Sequence, residues 1–425
     1  MRKLFVMMLA LSMTLGLMAC GSNTSSADTS GSGDAAAVSE TEAAAETEVA
    51  ETYEEGDEST HEHTIAVLTY SRTDEEVLAF RNYLENYIAS CFNVNFLYSD
   101  TIMSEEEVLD FIELAAVNGC EGIMSFNSYD LATEVALCEE NEMYFMMASG
   151  SVDQEQFDAV ADNPWFLGVV GPGSDAEYQA GADMASFFVE QEYGDSYFIL
   201  SGGASLGNEM HLKRTEGILD TLASAYGVSF DTAVEEMAAT DEIIHASAGD
   251  LEVCIVPGYI DYDAYLEPAI AEYEQDQYPN VLSVLPGSAM RDVLKDSNVG
   301  VIDCFTESNM SFFAENQELR YVCGKYGSLI GPSFAAMYNA VTGHADEFRE
   351  DGKAFQIEQG FWTATSAEEY QKMYTLASSV EINAYNFDDL YSVCSVYTPG
   401  ATLDDLKALA TAESYEEVVA RRGLE

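Results

Sequence analysis

Thr64-Ile65-Ala66-Val67-Leu68-Thr69-Tyr70 is the stretch on which the fold turns. A near-continuous apolar run of this length reads as a strand buried on both faces, the mark of a parallel sheet covered by helices. The next segment, from Glu75 to about Ala89, places Val77, Leu78, Phe80, Tyr83, Leu84 and Ile88 at helical spacing. Strand Val94–Tyr98, a helix over Ser104–Val117, strand Gly122–Phe126, a helix over Leu131–Asn141 and strand Met143–Ala148 follow. Four strands alternating with three helices predict an α/β layer with a parallel sheet.

The pattern then restarts. Trp165–Val170 is a short strand, Gly171-Pro172-Gly173 breaks the chain, and Ala176–Tyr193 is helical. A second series runs through strand Ser196–Leu200, helix Glu209–Tyr226 and strands Leu251–Val256, Val281–Leu285, Val299–Phe305 and Arg320–Gly324. Helices are expected from about Ala264 to Glu274 and from Ser328 to Val341. Phe355–Ala364 reads as one strand and Ala367–Ser378 as a helix. Short amphipathic helices are expected at Leu406–Thr411 and Tyr415–Arg422. Two series of one plan imply two similar lobes, with a ligand crevice outside the carboxyl ends of the strands. The expected lobes are 63–170 with about 307–355, and 171–306 with about 356–400. A helical tail, 401–425, completes the chain.

The N-terminus differs in kind. Arg2 and Lys3 precede an apolar run that ends in Leu17-Met18-Ala19-Cys20, the form of a secretory signal with a small residue before the cut. Residues 1–19 are read as a signal peptide. Residues 20–62 are read as an acidic tether, because they lack the apolar residues needed to order themselves. His61 and His63 form an H-x-H pair that closes the tether; a polar linker end is preferred over a metal site there.

The chain carries 76 acids against 16 Lys and Arg, a net charge of −60. That excludes a nucleic-acid surface and docking on anionic headgroups. Solubility outside the cell is the simplest reason for the excess. Seven cysteines besides Cys20 are widely spaced with no C-x-x-C, which disfavours zinc. An odd number also excludes a framework pairing them all.

Leu17-Met18-Ala19-Cys20 resembles a bacterial lipobox, which implies diacylglyceryl attachment to Cys20 and cleavage before it. Four further segments resemble the type I periplasmic-binding proteins, the ribose- and galactose-binding type of ABC transporter solute-binding lipoprotein. Asn118-Gly119-Cys120-Glu121-Gly122-Ile123-Met124-Ser125 is similar to that family's "G-V-D-G-I-I" step. Gly168-Val169-Val170-Gly171-Pro172 with Tyr178, Ala180, Gly181 and Ala182 is similar to "V-G-x-D-N-x-x-A-G". Lys213-Arg214-Thr215-Glu216-Gly217 is similar to "R-x-x-G-F", and Val299-Gly300-Val301-Ile302 to "V-x-V-I-G-F-D". The order of the four is the family's order. The resemblance implies two Rossmann-like lobes joined by a hinge, and it places a ligand-reaching arginine at Arg214. Two departures stand out. Pro286-Gly287-Ser288 occupies the place of the family's Asn-Asp, and Asp303 comes early in its strand.

Polar and aromatic residues gather at the expected strand ends. Candidate ligand-binding residues are Tyr70, Arg72, Asn127, Tyr129, Ser149, Asn208, Arg214, Tyr259, Ser288, Thr306, Glu307 and Lys325. Planar rings can stack on a ligand while amides, hydroxyls and scarce cations fix its polar edges. Arg81 and Arg349 read as surface charges. No G-x-S-x-G elbow, phosphate loop or G-x-G-x-x-G motif is present, so neither catalysis nor a cofactor is expected. The expected function is a monomeric, lipid-anchored solute-binding protein on the extracellular face of the membrane. It would hold a small sugar-like solute between its lobes and deliver it to an ABC permease. A nucleoside- or purine-binding lipoprotein of the same fold is an alternative, as is a sensing module feeding a membrane kinase.

Overall fold

The computed structural model describes residues 61–204, 209–258, 262–276, 278–284, 290, 293–294, 296–315, 318–379 and 383–424. The expected signal peptide, lipidation site and nearly all of the tether lie outside them. The described residues belong to one compact unit.

Thirteen strands are seen among the described residues: β1 (His63–Leu68), β2 (Val94–Tyr98), β3 (Gly122–Ser125), β4 (Tyr144–Ala148), β5 (Phe166–Gly171), β6 (Ser196–Leu200), β7 (Ile244–Ala248), β8 (Leu251–Val256), β9 (Asn280–Ser283), β10 (Asn298–Cys304), β11 (Leu319–Lys325), β12 (Phe355–Glu358) and β13 (Trp362–Ala364). They form two sheets, ordered β12-β5-β4-β3-β1-β2 and β13-β11-β10-β9-β6-β8-β7. All pairs are parallel except the two outermost in the second sheet, β7 with β8 and β11 with β13. Counting only the parallel strands of each lobe, both sheets contain the doubly wound order 2-1-3-4-5, so each has a switch point beside its first strand.

The Thr64–Tyr70 stretch behaves as its composition requires. Ile65 and Val67 of β1 enter one apolar cluster, with Phe80, Leu84, Met337 and Tyr338. Ala66 and Leu68 enter the other, with Val108, Phe111, Leu131 and Val135. Ile65–Leu68, whose alternate side chains feed two cores, carry no polar side chain. Several helices start where an acid or hydroxyl caps them, as Asp74, Ser104, Asp130, Ser366 and Thr402 do.

Three expectations about organisation are corrected. The second lobe's sheet does not end near residue 306. The Glu307–Glu315 helix and β11 follow, and β11 pairs with β10 from Val299 onward. The crossing to the first lobe therefore falls after Lys325. Phe355–Ala364 is not one strand: β12 joins β5 in the first sheet, and β13 joins β11 in the second. Gln359 stands between them with its amide buried against Leu329 O and Ala410 O. An apolar run reveals that a strand exists but carries no record of which edge it pairs with. The last part of the chain belongs with the first lobe rather than the second. Tyr83 donates to Tyr385 O at 2.7 Å, and Tyr391 donates to Cys91 O at 2.5 Å. The edge strand β7, whose residues alternate only weakly, was not expected. All seven described cysteines are free.

Candidate functional site

The carboxyl ends of β1, β4, β6, β10 and β11 bring polar side chains from both lobes together. Lys325, the last residue of β11, is buried. Its ammonium donates to Ser149 O at 2.8 Å and to Glu76 Oε1 at 3.3 Å, both in the first lobe. Ser149 presents that carbonyl from a left-handed backbone, φ 64°, an unusual conformation for a residue other than glycine. Glu76 lies in the first turn of the Glu75–Asn82 helix, which is capped by Asp74, and Asp74 also accepts from Tyr70 OH at 3.1 Å.

Facing these are Asp303 and Asn309. Asn309 Nδ2 donates to Asp303 Oδ2 at 2.7 Å and to Cys304 O at 2.9 Å. Burial pushes Asp303 up to about 7, the Asn309 hydrogen bond opposes that, and Asp74 and Glu76 across the cleft add to the rise. Burial likewise pushes the Glu76 carboxyl up, with Lys325 pulling it back. The Tyr70 phenol is raised by burial and then by Glu76 and Asp74. Asp303 looked early only because its strand was expected to reach Phe305; the strand stops at Cys304, so the carboxylate stands one residue from its end.

Arg214 is engaged inside the second lobe. Its Nε donates to Glu177 Oε2 at 2.5 Å and its Nη1 to Val284 O at 3.1 Å. Both side chains of the pair are almost fully buried. The resemblance glycines explain the pairing. A Cβ on Gly181 would lie 2.0 Å from Arg214 O, and one on Gly217 would lie 2.1 Å from Tyr178 O. These two glycines let the Ser174–Glu190 and Glu209–Tyr226 helices touch backbone to backbone, which carries Arg214 onto Glu177. One turn earlier, buried His211 is pushed down to about 3 by burial, with Arg214 and Lys325 adding to the effect, so it is neutral.

Four buried polar atoms in this region have no hydrogen-bond partner among the described residues: Ser149 Oγ, Ser201 Oγ, His211 Nδ1 and Asn309 Oδ1. Groups of this kind are costly to bury alone. Together with Glu76, Asp303 and Lys325 they form a buried set of donors and acceptors shared by the two lobes. Acids outnumber cations here, and Lys325 and Arg214 are both engaged, which suits a neutral, hydroxyl-rich molecule better than an anion. An acid-lined recess of about 360 Å³, bordered by Gly150, Asp153, Asp175, Glu209 and Glu358, adjoins the crossing after β5.

The residues expected from sequence divide accordingly. Tyr70, Ser149 and Lys325 lie in this cluster, and Thr306 is buried beside it, its N–H donating to Tyr370 OH at 2.8 Å. Arg72 is exposed and paired with Asp100. Tyr129 is exposed, Asn127 is half-buried, and Glu307 is exposed at the start of its helix. Asn208, Tyr259 and Ser288 fall outside the described residues. Sequence reading missed Asp74, Glu76, Glu177, Ser201, His211, Asp303 and Asn309 as members. Asp74 and Glu76 are helix-start acids, and no local signal separates them from the chain's other acids.

No protein-family model matches the chain, and no curated protein matches it. Solved structures do. One is an ABC transporter solute-binding protein from Bacillus halodurans with bound myo-inositol: 16% identity, covering 76% of this chain and 99% of that one, TM-score 0.53. Another is a galactofuranose-binding protein, at 10% identity, 75% and 100% coverage and TM-score 0.54. A third is the binding component of an arabinose ABC transporter from Shewanella, at 12% identity, 75% and 98% coverage and TM-score 0.53. Two doubly wound lobes in this order, matched over nearly the whole of each of these structures, are the type I periplasmic-binding fold.

Proposed function

We propose that this chain is the solute-binding component of an ABC importer and that it takes a small, hydroxyl-rich solute such as a sugar or cyclitol between its lobes. The observation that carries the reading is the buried set of unpartnered polar atoms at facing strand ends, bridged across the lobes by Lys325. A polyol offers both donors and acceptors to such a set, and its capture would favour the closed form that a permease reads. The solved structures of this fold named above hold or are named for sugars and inositol. The excess of carboxylates speaks for the same solute class. Lipidation at Cys20 would hold the protein, as a monomer, on the extracellular face of the membrane beside its permease.

The test is a thermal-shift and intrinsic-fluorescence screen against pentoses, hexoses, inositols, nucleosides, amino acids and peptides. The chain has two tryptophans. Trp362 sits on β13 beside the crossing, stacked on Tyr326 at 3.9 Å, so its emission reads closure. Trp165 packs on Tyr144 at the far side of the first lobe and serves as the reference. A saturable shift with a sugar or cyclitol is expected. A response to nucleosides alone would replace the solute class, and no response to any class would overturn the reading. Loss of radiolabelled lipid on Cys20→Ser tests the anchor.

A further inference from the structure

The His61-Glu62-His63 triplet plays no part in the inter-lobe site. It lies at the other end of the first sheet, where β1 begins, and Glu121 stands immediately before β3. His63 Nδ1 is 2.9 Å from Glu121 Oε2, and His61 Nε2 is 3.5 Å from Glu121 Oε1. Ligand atoms of the three residues all lie within 4.8 Å of one another. An extended chain puts residues i and i+2 on one face, and the two imidazoles meet edge to face with centroids 4.7 Å apart.

Two of the three side chains are held in place. The His63 ring is fully buried and braced edge to face on Tyr338, and its Nε2 has no hydrogen-bond partner. Glu121 is tied to β1 twice: its N–H donates to Thr64 O at 2.8 Å, and its Oε1 accepts from Thr64 N at 3.3 Å. His61 is the open side, with its side chain 59% exposed.

We propose that His61, His63 and Glu121 bind a divalent transition-metal ion of the zinc class, with solvent as the fourth ligand. Tetrahedral bonds of about 2.0–2.1 Å separate neighbouring donors by about 3.3–3.4 Å; the spacings to the two Glu121 oxygens, 2.9 Å to Oε2 and 3.5 Å to Oε1, lie close to that value, and small side-chain rotations would bring all three donors, already within 4.8 Å, onto one ion. Two imidazoles and one carboxylate suit zinc, copper or nickel, whereas calcium and magnesium seek six or more oxygens. A bound ion would pin residues 61–63 to the start of β3 and so fix the point at which the acidic N-terminal stretch meets the first lobe.

A second cluster supplies the control. His245 faces Cys254 across the β7–β8 pair, and His245 Nε2 lies 3.0 Å from Glu272 Oε1. That set contains a thiol and the proposed one does not. The experiment titrates the full-length, tag-free chain with Co²⁺, reading visible d–d absorption, and then displaces the Co²⁺ with Zn²⁺. One equivalent with strong tetrahedral bands and no near-ultraviolet thiolate charge-transfer band is expected. His61→Ala and Glu121→Gln should each weaken Co²⁺ binding by more than ~10-fold, a loss that even outer-shell changes reach. His61→Ala should keep the wild-type melting temperature in chelator, since this side chain is exposed. A thiolate band would place the ion on a cysteine-containing set, of which the Cys254 cluster is the candidate, and overturn the proposal. So would only weak binding of many equivalents, or unchanged affinity in His61→Ala.

Discussion

Replacing Arg214 with methionine should destabilise the protein before it says anything about ligand. The guanidinium sits against Glu177 at 2.5 Å and holds Val284 O at 3.1 Å, both inside the second lobe. Removing one partner of a buried ion pair leaves an uncompensated charge, at a cost of about 3–5 kcal/mol. With ~2.1 cal/mol/K of unfolding entropy per residue and a cooperative unit of about 360 residues, the melting temperature falls by roughly 4–7 °C. Calorimetry on Arg214→Met, Glu177→Gln and the double variant reads this directly. The double variant should recover much of the loss, because neither charge is then left alone, and the cycle should return a coupling above ~1 kcal/mol. If Arg214→Met melted like wild type and only the ligand-induced shift disappeared, Arg214 would be a ligand residue and the pairing argument would be refuted.

The remaining expectations concern the cleft and the hinge. Asp303 is raised to about 7 in the folded state from an ordinary carboxyl value near 3.9. Its contribution to stability is complete below about pH 4 and is lost as pH rises through 7. Asp303→Asn should therefore raise the melting temperature at pH 8 and leave it little changed at pH 4. His211 runs the other way: held near 3 against about 6.5 unfolded, its contribution is present above 6.5 and lost as pH falls toward 3. His211→Gln should flatten that acid-side decline, which a melting series from pH 7 to 4 would reveal. Lys325→Met removes the bridge from β11 to Ser149 O and Glu76; small-angle scattering of the ligand-free protein should show a larger radius of gyration. Gly181→Ala puts a methyl group 2.0 Å from Arg214 O, and overpacking of this kind costs about 1–3 kcal/mol by denaturant unfolding.

How far the sequence could be read depends on the kind of information each feature needs. Ile65–Leu68 sit between two cores, so their burial is written in every one of them, and the first five strands of the first lobe were legible one by one, β12 alone being misassigned. The resemblance glycines, Gly181 and Gly217, were legible as a motif, but their reason was not: it is a backbone contact between two helices that are only neighbours in space. Arg349 shows the opposite failure. It read as a surface charge, yet it donates to the carbonyls of Gly352, Pro164, Phe166, Ala161 and Asn163, and so fastens the chain before β12 to the start of β5. One residue's chemistry cannot announce five acceptors, four of them more than a hundred positions away.

By itself, then, the sequence determined the α/β class, the two series of strands and helices and the acidic character. These follow from periodicity and composition, which are local. The tertiary structure alone decided where the lobes exchange chain, at Lys325 and Gln359, and which cations find partners in the interior. It also decided which acids face each other at the strand ends. Pairing, burial and charge compensation are properties of residues brought together from far apart, and that proximity exists only after the chain has folded.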